Sequence, residues 1–287
     1  MKVSTEIGSI AKHVGYEKAV EMVAKAGFDA WDFSMFYCYY NFKEERVDVR
    51  DDRFLRDDYL DFARKLAEIG KAGGIHCNQS HAPFATKPKM LPYIERAMRC
   101  TAAAGGRICI VHPWNGDTPA ENAETYAKLI PIADELGITI ATENMWNWDR
   151  ERDVAAPAAC SLPDNFNAHL DAVPDGKLVA CLDIGHAEMF RETSAPEMIR
   201  ALGDRLKALH IHDNDRWHDS HAIPFSMDID FEAVADALAD IKYDGYLTLE
   251  ADSHVKGGSE EEVFAQVCEL YAAVNKLRIM VEERMSK

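Results

Sequence analysis

Short apolar segments alternate with amphipathic stretches from one end of the chain to the other. Eight of the apolar segments predict buried strands, and a stretch of helical period follows each of them. The predicted strands are Val3–Gly8, Phe28–Ser34, Ile75–His81, Arg107–His112, Ile138–Asn144, Leu178–Asp183, Leu206–His212 and Gly245–Glu250. This order predicts an α/β protein built from repeated strand–helix units.

The helical stretches carry apolar residues at positions i, i+3, i+4 and i+7, so that one face of each helix can be buried. The clearest stripes begin at Leu91, Tyr126, Phe231 and Val263. Ser259 precedes the last stripe and Glu262 follows three residues later, which is a capping box at a helix N-terminus. Strand and helix therefore alternate to the end of the chain.

Eight strand–helix units most simply close into a (β/α)8 TIM barrel. The intervals between strand starts leave room for one helix and its loops in every unit. An open, doubly wound sheet is the alternative, but no glycine-rich nucleotide-binding motif follows any strand. No linker or low-complexity segment interrupts residues 1–287, so we expect a single domain.

The charge of the chain excludes some partners. Its 287 residues include 32 Lys and Arg against 49 Asp and Glu, a formal net charge of −17. Because such a surface repels phosphate backbones, we expect no nucleic-acid partner. Hydrophobic residues make up 47% of the chain, but no apolar run approaches the length of a membrane span, so we expect no membrane partner either.

The cysteines and the N-terminus indicate the compartment. The seven cysteines are scattered and form no CxxC pair, which argues against a disulfide framework or a zinc ribbon. The N-terminus lacks the basic and apolar regions of a signal peptide. We therefore expect a cytoplasmic protein.

The longest intervals between strands follow the second, fifth and seventh strands and predict elaborated loops there. The first of these loops, residues 35–42, is unusually aromatic, and the second contains Trp146 and Trp148. In a barrel both loops lie on the C-terminal face, where barrel enzymes keep their active sites. The aromatic rings could shape a pocket for a small polar ligand, or they could pack against other loops or another subunit.

Ionisable residues collect where six consecutive predicted strands, the third to the eighth, come to an end. They are His81, His112, Glu143, Asp183 with His186, His210 with His212, and Glu250. In a barrel these ends meet at one mouth, where unpaired charges would be costly. One divalent cation would reconcile them: carboxylates with one imidazole suit Mn²⁺, Mg²⁺, Co²⁺ or Fe²⁺, and a set richer in His favours Zn²⁺. The alternative is a neutral hydrogen-bonded network.

Three runs of residues make the chain resemble the xylose isomerase-like barrel superfamily. The runs are Asp-Ile-Gly-His at 183–186, His-Ile-His-Asp-Asn at 210–214, and the stretch 243–250 that ends in Leu-Glu. The superfamily includes AP endonuclease family 2, ketose 3-epimerases, hydroxypyruvate isomerase and inosose dehydratase. The resemblance extends from the first predicted strand to the eighth, and it implies a metal-dependent enzyme on a TIM barrel.

The resemblance also implies roles for individual residues. The single-metal ligands of the family fall on Glu143, Asp183, His210 and Glu250. His210 is preferred to His212 because the family's ligand lies three residues before an acidic residue, here Asp213. The resemblance implies that one divalent ion, Mn²⁺ in the first place, occupies this site. In the ketose 3-epimerases two further positions contact the sugar, and here they are His186 and Arg216.

Other residues of the mouth are expected to contact the substrate or to extend the metal site. His81, His112 and Trp114 could line the pocket, and His212 faces the same side of its strand as His210. The AP endonuclease branch binds three zinc ions, and the resemblance puts its additional ligands on His81, His112, His186, Asp219 and His221. Against that branch stand the acidic surface and the run at 223–228, which replaces the usual Gly-x-Gly turn.

These observations predict a sugar isomerase or epimerase that transfers a proton at a carbon next to a carbonyl, through a metal-stabilised enediolate, with Glu143 and Glu250 as base and acid. The substrate would be a neutral ketose or polyol, because Glu260, Glu261 and Glu262 would repel a phosphate from the last helix N-terminus. The alternatives are an inosose-type dehydratase, a trinuclear-zinc phosphodiesterase and a non-catalytic carbohydrate-binding barrel. A homo-oligomer is also expected.

Overall fold

The computed structural model describes residues 1–286 and contains an eight-stranded parallel sheet, with one strand for each predicted strand. The strands are β1 (Lys2–Glu6), β2 (Ala30–Ser34), β3 (His76–His81), β4 (Ile108–Ile110), β5 (Thr139–Glu143), β6 (Leu178–Asp183), β7 (Leu206–His210) and β8 (Tyr246–Leu249). Several predicted strands are longer than the observed ones, by one or two residues at one end or at both.

The sheet curls into a nearly closed barrel. Its order is β7-β6-β5-β4-β3-β2-β1-β8, and all neighbouring strands are parallel. The two edge strands meet just beyond the end of β7. There the Ile211 amide donates to the Thr248 carbonyl at 2.9 Å, and the Glu250 amide donates to the Ile211 carbonyl at 3.0 Å. The predicted (β/α)8 TIM barrel is thus confirmed, and the doubly wound alternative is wrong.

Helices surround the barrel and bury one face each against the strands. They are α1 (Gly8–Val14), α2 (Tyr16–Ala26), α3 (Tyr59–Ala72), α4 (Leu91–Ala103), α5 (Pro119–Leu136), α6 (Pro163–Asp171), α7 (Ile184–Glu188), α8 (Ala195–Leu202), α9 (Phe231–Asp240) and α10 (Glu260–Met285). Single 3₁₀ turns occur at Arg53–Leu55, Pro88–Met90, Pro174–Gly176 and Gly203–Arg205. The predicted capping box at Ser259 and Glu262 is present at the start of α10.

The three predicted elaborated loops differ in structure. The loop after β2 contains an antiparallel hairpin of Cys38–Asn41 with Arg46–Val49, and the loop after β5 contains one of Trp146–Asp149 with Val154–Pro157. The pattern of apolar and polar residues in these loops does not predict the two hairpins. The connection after β7, residues 211–230, contains no helix and runs across the mouth.

The barrel interior is small and changes character towards the mouth. Four apolar side chains from adjacent strands form a compact layer inside it: Ile110, Ala141, Cys181 and Ala208. All seven cysteines are free thiols, as the sequence predicts. Within residues 1–286, no helix combines the length and the apolar character that a membrane crossing requires.

Candidate active site and metal centre

The ionisable residues come together because every second side chain of a strand points into the barrel. Successive inward positions on a strand are two residues apart, so the position above each residue of the apolar layer points into the mouth. On β5, β6 and β7 these positions are Glu143, Asp183 and His210, and beyond the end of β4 the position is His112. Glu250 lies just beyond the end of β8, two residues after the buried Thr248. The sequence therefore alternates apolar and ionisable residues on the inner face, and the barrel collects the ionisable ones in one layer.

Four of these side chains form a carboxylate-rich group: Glu143, Asp183, His210 and Glu250. One potential ligand atom from each lies within 4.8 Å of those from the others, and all four side chains are buried. His210 is central, because its Nδ1 lies 3.1 Å from Glu143 Oε2 and 3.3 Å from Glu250 Oε2. The structure thus brings together the four residues that the sequence analysis expects to bind the metal.

The donor atoms of this group fit a divalent cation. Glu143 Oε1 and Asp183 Oδ2 are buried and have no hydrogen-bond partner. Leaving two carboxylate oxygens in this condition is costly unless a cation satisfies them. Three carboxylates with one imidazole suit Mn²⁺, Mg²⁺, Co²⁺ or Fe²⁺, and Zn²⁺ also accepts such ligands.

The two glutamates have different electrostatic environments. Burial raises the pKa of Glu143, but the nearby His210 and His112 outweigh this effect and hold the pKa well below its usual range. Burial also raises the pKa of Glu250, and His210 offsets it only in part, so that the pKa is about 8. Two carboxyl groups with pKa values pushed apart are the arrangement that acid–base chemistry requires.

A pair of histidines borders the carboxylate-rich group on one side. His81 Nδ1 lies 3.1 Å from Glu250 Oε1, and its Nε2 lies 2.8 Å from His112 Nε2. His112 Nε2 in turn lies 3.4 Å from Glu143 Oε2. Burial and the neighbouring His112 lower the pKa of His81 well below its usual value, which keeps the imidazole neutral. His81, His112 and Glu143 together could hold a second cation.

A histidine-rich group borders it on the other side and consists of His186, His212, Asp219 and His221. His186 Nε2 and His221 Nε2 each lie 3.3 Å from Asp219 Oδ2, and His212 Nε2 lies 3.4 Å from Asp219 Oδ1. His212 also approaches the carboxylate-rich group, since its Nε2 lies 3.1 Å from Asp183 Oδ1. His212 is therefore inside the mouth but is not part of the carboxylate-rich group, which includes His210.

Backbone carbonyls orient the three imidazoles of the histidine-rich group. The Nδ1 atoms lie 2.8 Å from the Asn144 carbonyl for His186, 3.3 Å from the Asp213 carbonyl for His212 and 2.7 Å from the Glu250 carbonyl for His221. A carbonyl can only accept, so each Nδ1 carries the hydrogen and each Nε2 faces Asp219 or Asp183. Three carbonyls thus prearrange this group for a shared proton or for a cation.

Aromatic side chains wall the cavity above the carboxylate-rich group, which has a volume of about 430 Å³. Phe36 and Tyr39 come from the loop after β2, Trp146 from the loop after β5, and Phe84 from the loop after β3. Arg50 lies at the rim with its guanidinium 4.7 Å from the centre of the Tyr39 ring. The aromatic loops thus line a pocket, as the sequence analysis suggests for two of them.

Three predicted substrate-binding residues do not line this cavity, namely Arg216, Trp114 and His212. Arg216 lines a neighbouring cavity of about 990 Å³, where its guanidinium pairs with the buried Glu188 at 3.0 Å. Trp114 stacks against Phe42 and lies under the Lys87 ammonium group, at 3.7 Å from the ring centre. A substrate contact by Arg216 or Trp114 remains a prediction, and the structure brings neither into the layer of ionisable residues.

Some residues of the site are absent from the sequence analysis. Asp32 on β2 lies 3.4 Å from His210 Nε2, and Glu6 at the end of β1 is buried. Glu6 accepts hydrogen bonds from the Ser9 amide, in the first turn of α1, and from the Ser34 hydroxyl. The signal for both is an acidic residue within a predicted apolar strand, the same signal that identifies Glu143 and Asp183.

Comparisons with known proteins agree with this architecture. The sequence profile of the xylose isomerase-like TIM barrel family matches residues 16–273. An uncharacterized protein of Methanocaldococcus jannaschii is 21% identical over 262 residues, which cover 88% of this chain and 84% of that protein. Fructoselysine 3-epimerase of Escherichia coli O157:H7 is 24% identical over 202 residues, which cover 69% of this chain and 61% of the epimerase.

Solved structures resemble the barrel over its whole length. A D-tagatose 3-epimerase-like protein superimposes with a TM-score of 0.73 and 19% sequence identity. The superposition covers 99% of this chain and 99% of the other. At this identity the likeness shows the fold alone.

Proposed function

The chain belongs to the xylose isomerase-like TIM barrel family, and from this premise we propose that it is a divalent-metal-dependent sugar epimerase or isomerase. The observation that carries the proposal is the carboxylate-rich group, in which Glu143, Asp183, His210 and Glu250 meet under an aromatic cavity. The 3-epimerases among its relatives and structural neighbours, one of which acts on fructoselysine, support a sugar as the substrate. The substrate would be a ketose or a related polyol.

The four side chains of the carboxylate-rich group would hold the cation. When bound, the cation supplies electrophilic polarisation of a substrate carbonyl and lowers the cost of negative charge on the adjacent oxygens. Burial of the ligands keeps water from screening this effect. Asp183 would serve only as a ligand, because its backbone amide and carbonyl are fixed by Asn144 and its carboxylate caps the start of α7.

Glu143 and Glu250 would carry the proton. They come from β5 and from the end of β8, which lie on different sides of the barrel. A sugar bound between the two glutamates would therefore present one face of a carbon atom to each of them. One carboxylate removes the proton next to the carbonyl and the other returns one. Return to the other face of the same carbon gives an epimer, and return to the neighbouring carbon gives an aldose–ketose shift.

The aromatic wall would exclude water and orient the ring or open chain of the sugar. Phe36 packs edge-on against His81 with 4.6 Å between ring centres, and Phe84 does the same against His112 at 4.9 Å. These contacts hold both imidazoles in the lining of the cavity, where they would contact substrate hydroxyl groups. His186 would contact the substrate from the opposite side.

Proton exchange with solvent tests the proposal. Metal-loaded protein is incubated in D₂O with a panel of ketoses and inososes, and deuterium is located by NMR. We expect deuterium at carbon 3 for an epimerase or at carbon 1 for an isomerase, and loss of water would indicate the dehydratase. Glu143→Gln and Glu250→Gln should abolish exchange while the fold persists. Exchange at the wild-type rate in both variants would refute the acid–base roles.

A second candidate function is a phosphodiesterase with several zinc ions. The observation in its favour is that His81, His112 and Glu143 form one possible cation site, and that His186, Asp219 and His221 with His212 form another, on either side of the carboxylate-rich group. The net charge of −17 opposes binding to nucleic acid. Metal analysis of protein purified without chelator separates the two: about one ion per chain supports the epimerase, and two to three zinc ions support the phosphodiesterase.

A further inference from the structure

Asp32 is a buried carboxylate inside the barrel, in the layer below the carboxylate-rich group. It occupies the middle of β2 and has no exposed surface. Within residues 1–286 no Lys or Arg pairs with it, and its Oδ1 has no hydrogen-bond partner. A buried carboxylate without a Lys or Arg partner costs folding free energy, so other groups around Asp32 must stabilise it.

The basic side chain that faces Asp32 is the imidazole of His210. His210 Nε2 lies 3.4 Å from Asp32 Oδ2, and Nδ1 of the same ring lies 3.1 Å from Glu143 Oε2. The two nitrogens of one ring therefore face different carboxylates, one below the cation site and one within it. The Nε2 contact is a few tenths of an ångström longer than an ordinary hydrogen bond.

Gln79 fixes the carboxylate of Asp32 in this orientation. Its Nε2 donates to Asp32 Oδ2 at 2.9 Å and to the carbonyl of Leu209, the residue before His210, at 3.3 Å. Its Oε1 accepts from Thr248 Oγ1 at 3.3 Å and from Asn78 Nδ2 at 3.2 Å. The amide of Gln79 thus links β2, β3, β7 and β8 and leaves Asp32 Oδ2 facing the imidazole.

A neutral imidazole carries hydrogen on only one nitrogen, and it binds a cation through the other. Asp32 Oδ2 already accepts from Gln79, and as an acceptor that faces Nε2 of His210 it favours hydrogen on that nitrogen and leaves the Nδ1 lone pair directed at Glu143 and Glu250. Carboxylates that receive the second N–H of a ligating histidine fix its tautomer and ring orientation and increase its basicity.

We propose that Asp32 is a positioning residue for the metal centre, which holds His210 as the Nε2–H tautomer with Nδ1 directed at the cation. The inference rests on the proposed metal centre and adds a residue outside the four ligands. Asp32 itself stays behind the His210 ring and does not touch the cation or the substrate.

The first experiment measures Mn²⁺ affinity by calorimetry for wild type, Asp32→Asn and Asp29→Asn. Asp29 lies three residues earlier and accepts from the Val3 amide at the opposite end of the barrel, so it controls for the substitution itself. We expect the dissociation constant to rise about 10- to 100-fold in Asp32→Asn, as for other residues that orient a metal ligand. It should stay within about twofold of wild type in Asp29→Asn. An affinity of Asp32→Asn within twofold of wild type would overturn the proposal.

The second experiment observes the tautomer directly and needs no variant of Asp32. Wild-type protein labelled with ¹⁵N-histidine is loaded with Zn²⁺, and the His210 signals are identified by their loss in His210→Gln. We expect the pattern of a ring with hydrogen on Nε2 and metal on Nδ1. The reverse pattern would refute the role of Asp32 while leaving the metal centre intact. Failure of the wild type to bind either cation would refute the metal centre and this proposal together.

Discussion

Replacing Asp213 with Asn should loosen the long connection that follows β7. The Asp213 carboxylate is fully buried and accepts four backbone N–H groups. Oδ1 binds the amides of Asn214 and Ile229, at 2.9 and 3.1 Å, and Oδ2 binds those of Ser226 and Met227, at 3.0 and 2.9 Å. This one side chain therefore closes the loop that presents Asp219 and His221 to the mouth.

The size of the effect follows from the two oxygen atoms. An Asn side chain keeps one acceptor oxygen, and its NH₂ group faces two amides that can only donate. A buried donor without a partner costs about 1–3 kcal/mol, so two of them give a loss of about 2–6 kcal/mol in the free energy of unfolding. For 287 residues the unfolding entropy is about 0.6 kcal/mol/K, which corresponds to a fall in Tm of about 3–10 °C.

The assay combines thermal unfolding with hydrogen exchange of residues 213–230. Asp215→Asn is the matched control: Asp215 Oδ1 also accepts two backbone amides, from Trp217 and His218, but the side chain is 35% exposed. Water can replace its lost contacts, so we expect a change below about 1 kcal/mol. If Asp213→Asn has the same Tm and the same loop protection as Asp215→Asn, the account of the loop is wrong.

Three further predictions concern the site. Gly185→Ala should lower the free energy of unfolding by about 3 kcal/mol, because the new Cβ would lie 1.9 Å from His212 Cε1. Urea unfolding measures this loss, and Gly116→Ala is the control, because the atom nearest to its new Cβ is at 3.5 Å. Equal losses in the two variants would contradict the prediction. Removing the metal with a chelator should lower the Tm, because buried carboxylates then repel one another; an unchanged Tm in calorimetry would speak against the metal centre. Mn²⁺ affinity should fall as the pH is lowered from 8 to 6, because burial raises the pKa of Glu250 to about 8 and the cation must displace the proton of that carboxyl group. A Mn²⁺ affinity that does not change with pH in calorimetric titrations would refute this prediction.

The alternation of inward and outward side chains along each strand made much of the site predictable. Alternation along a strand is a local property, so that Glu143, Asp183 and His210 necessarily share the inner face with the apolar residues two positions before them. Once eight strand–helix units are recognised, closure of the barrel brings these positions to one end. The same reasoning, applied to β1 and β2, would have identified Glu6 and Asp32.

The long connections were less predictable, because their conformation depends on contacts between distant segments. Arg216 lies six residues after His210, yet its guanidinium reaches Glu188 of α7 in a different cavity. His210 and His212 share one side of their strand, but Gly185 leaves the space into which His212 packs, next to Asp219. Neither partner can be read from the sequence around these residues.

The sequence by itself determined the order of strands and helices, the barrel and the set of ionisable residues at its mouth. These features follow from the alternation of apolar and polar residues, which is a local property of each short segment. Only the tertiary structure decided how that set divides into a carboxylate-rich group and two histidine-containing groups, and which carboxylate lies next to His210 Nε2. Those choices depend on distances of 3–4 Å between side chains that are far apart in the chain, and such distances exist only after the barrel has closed.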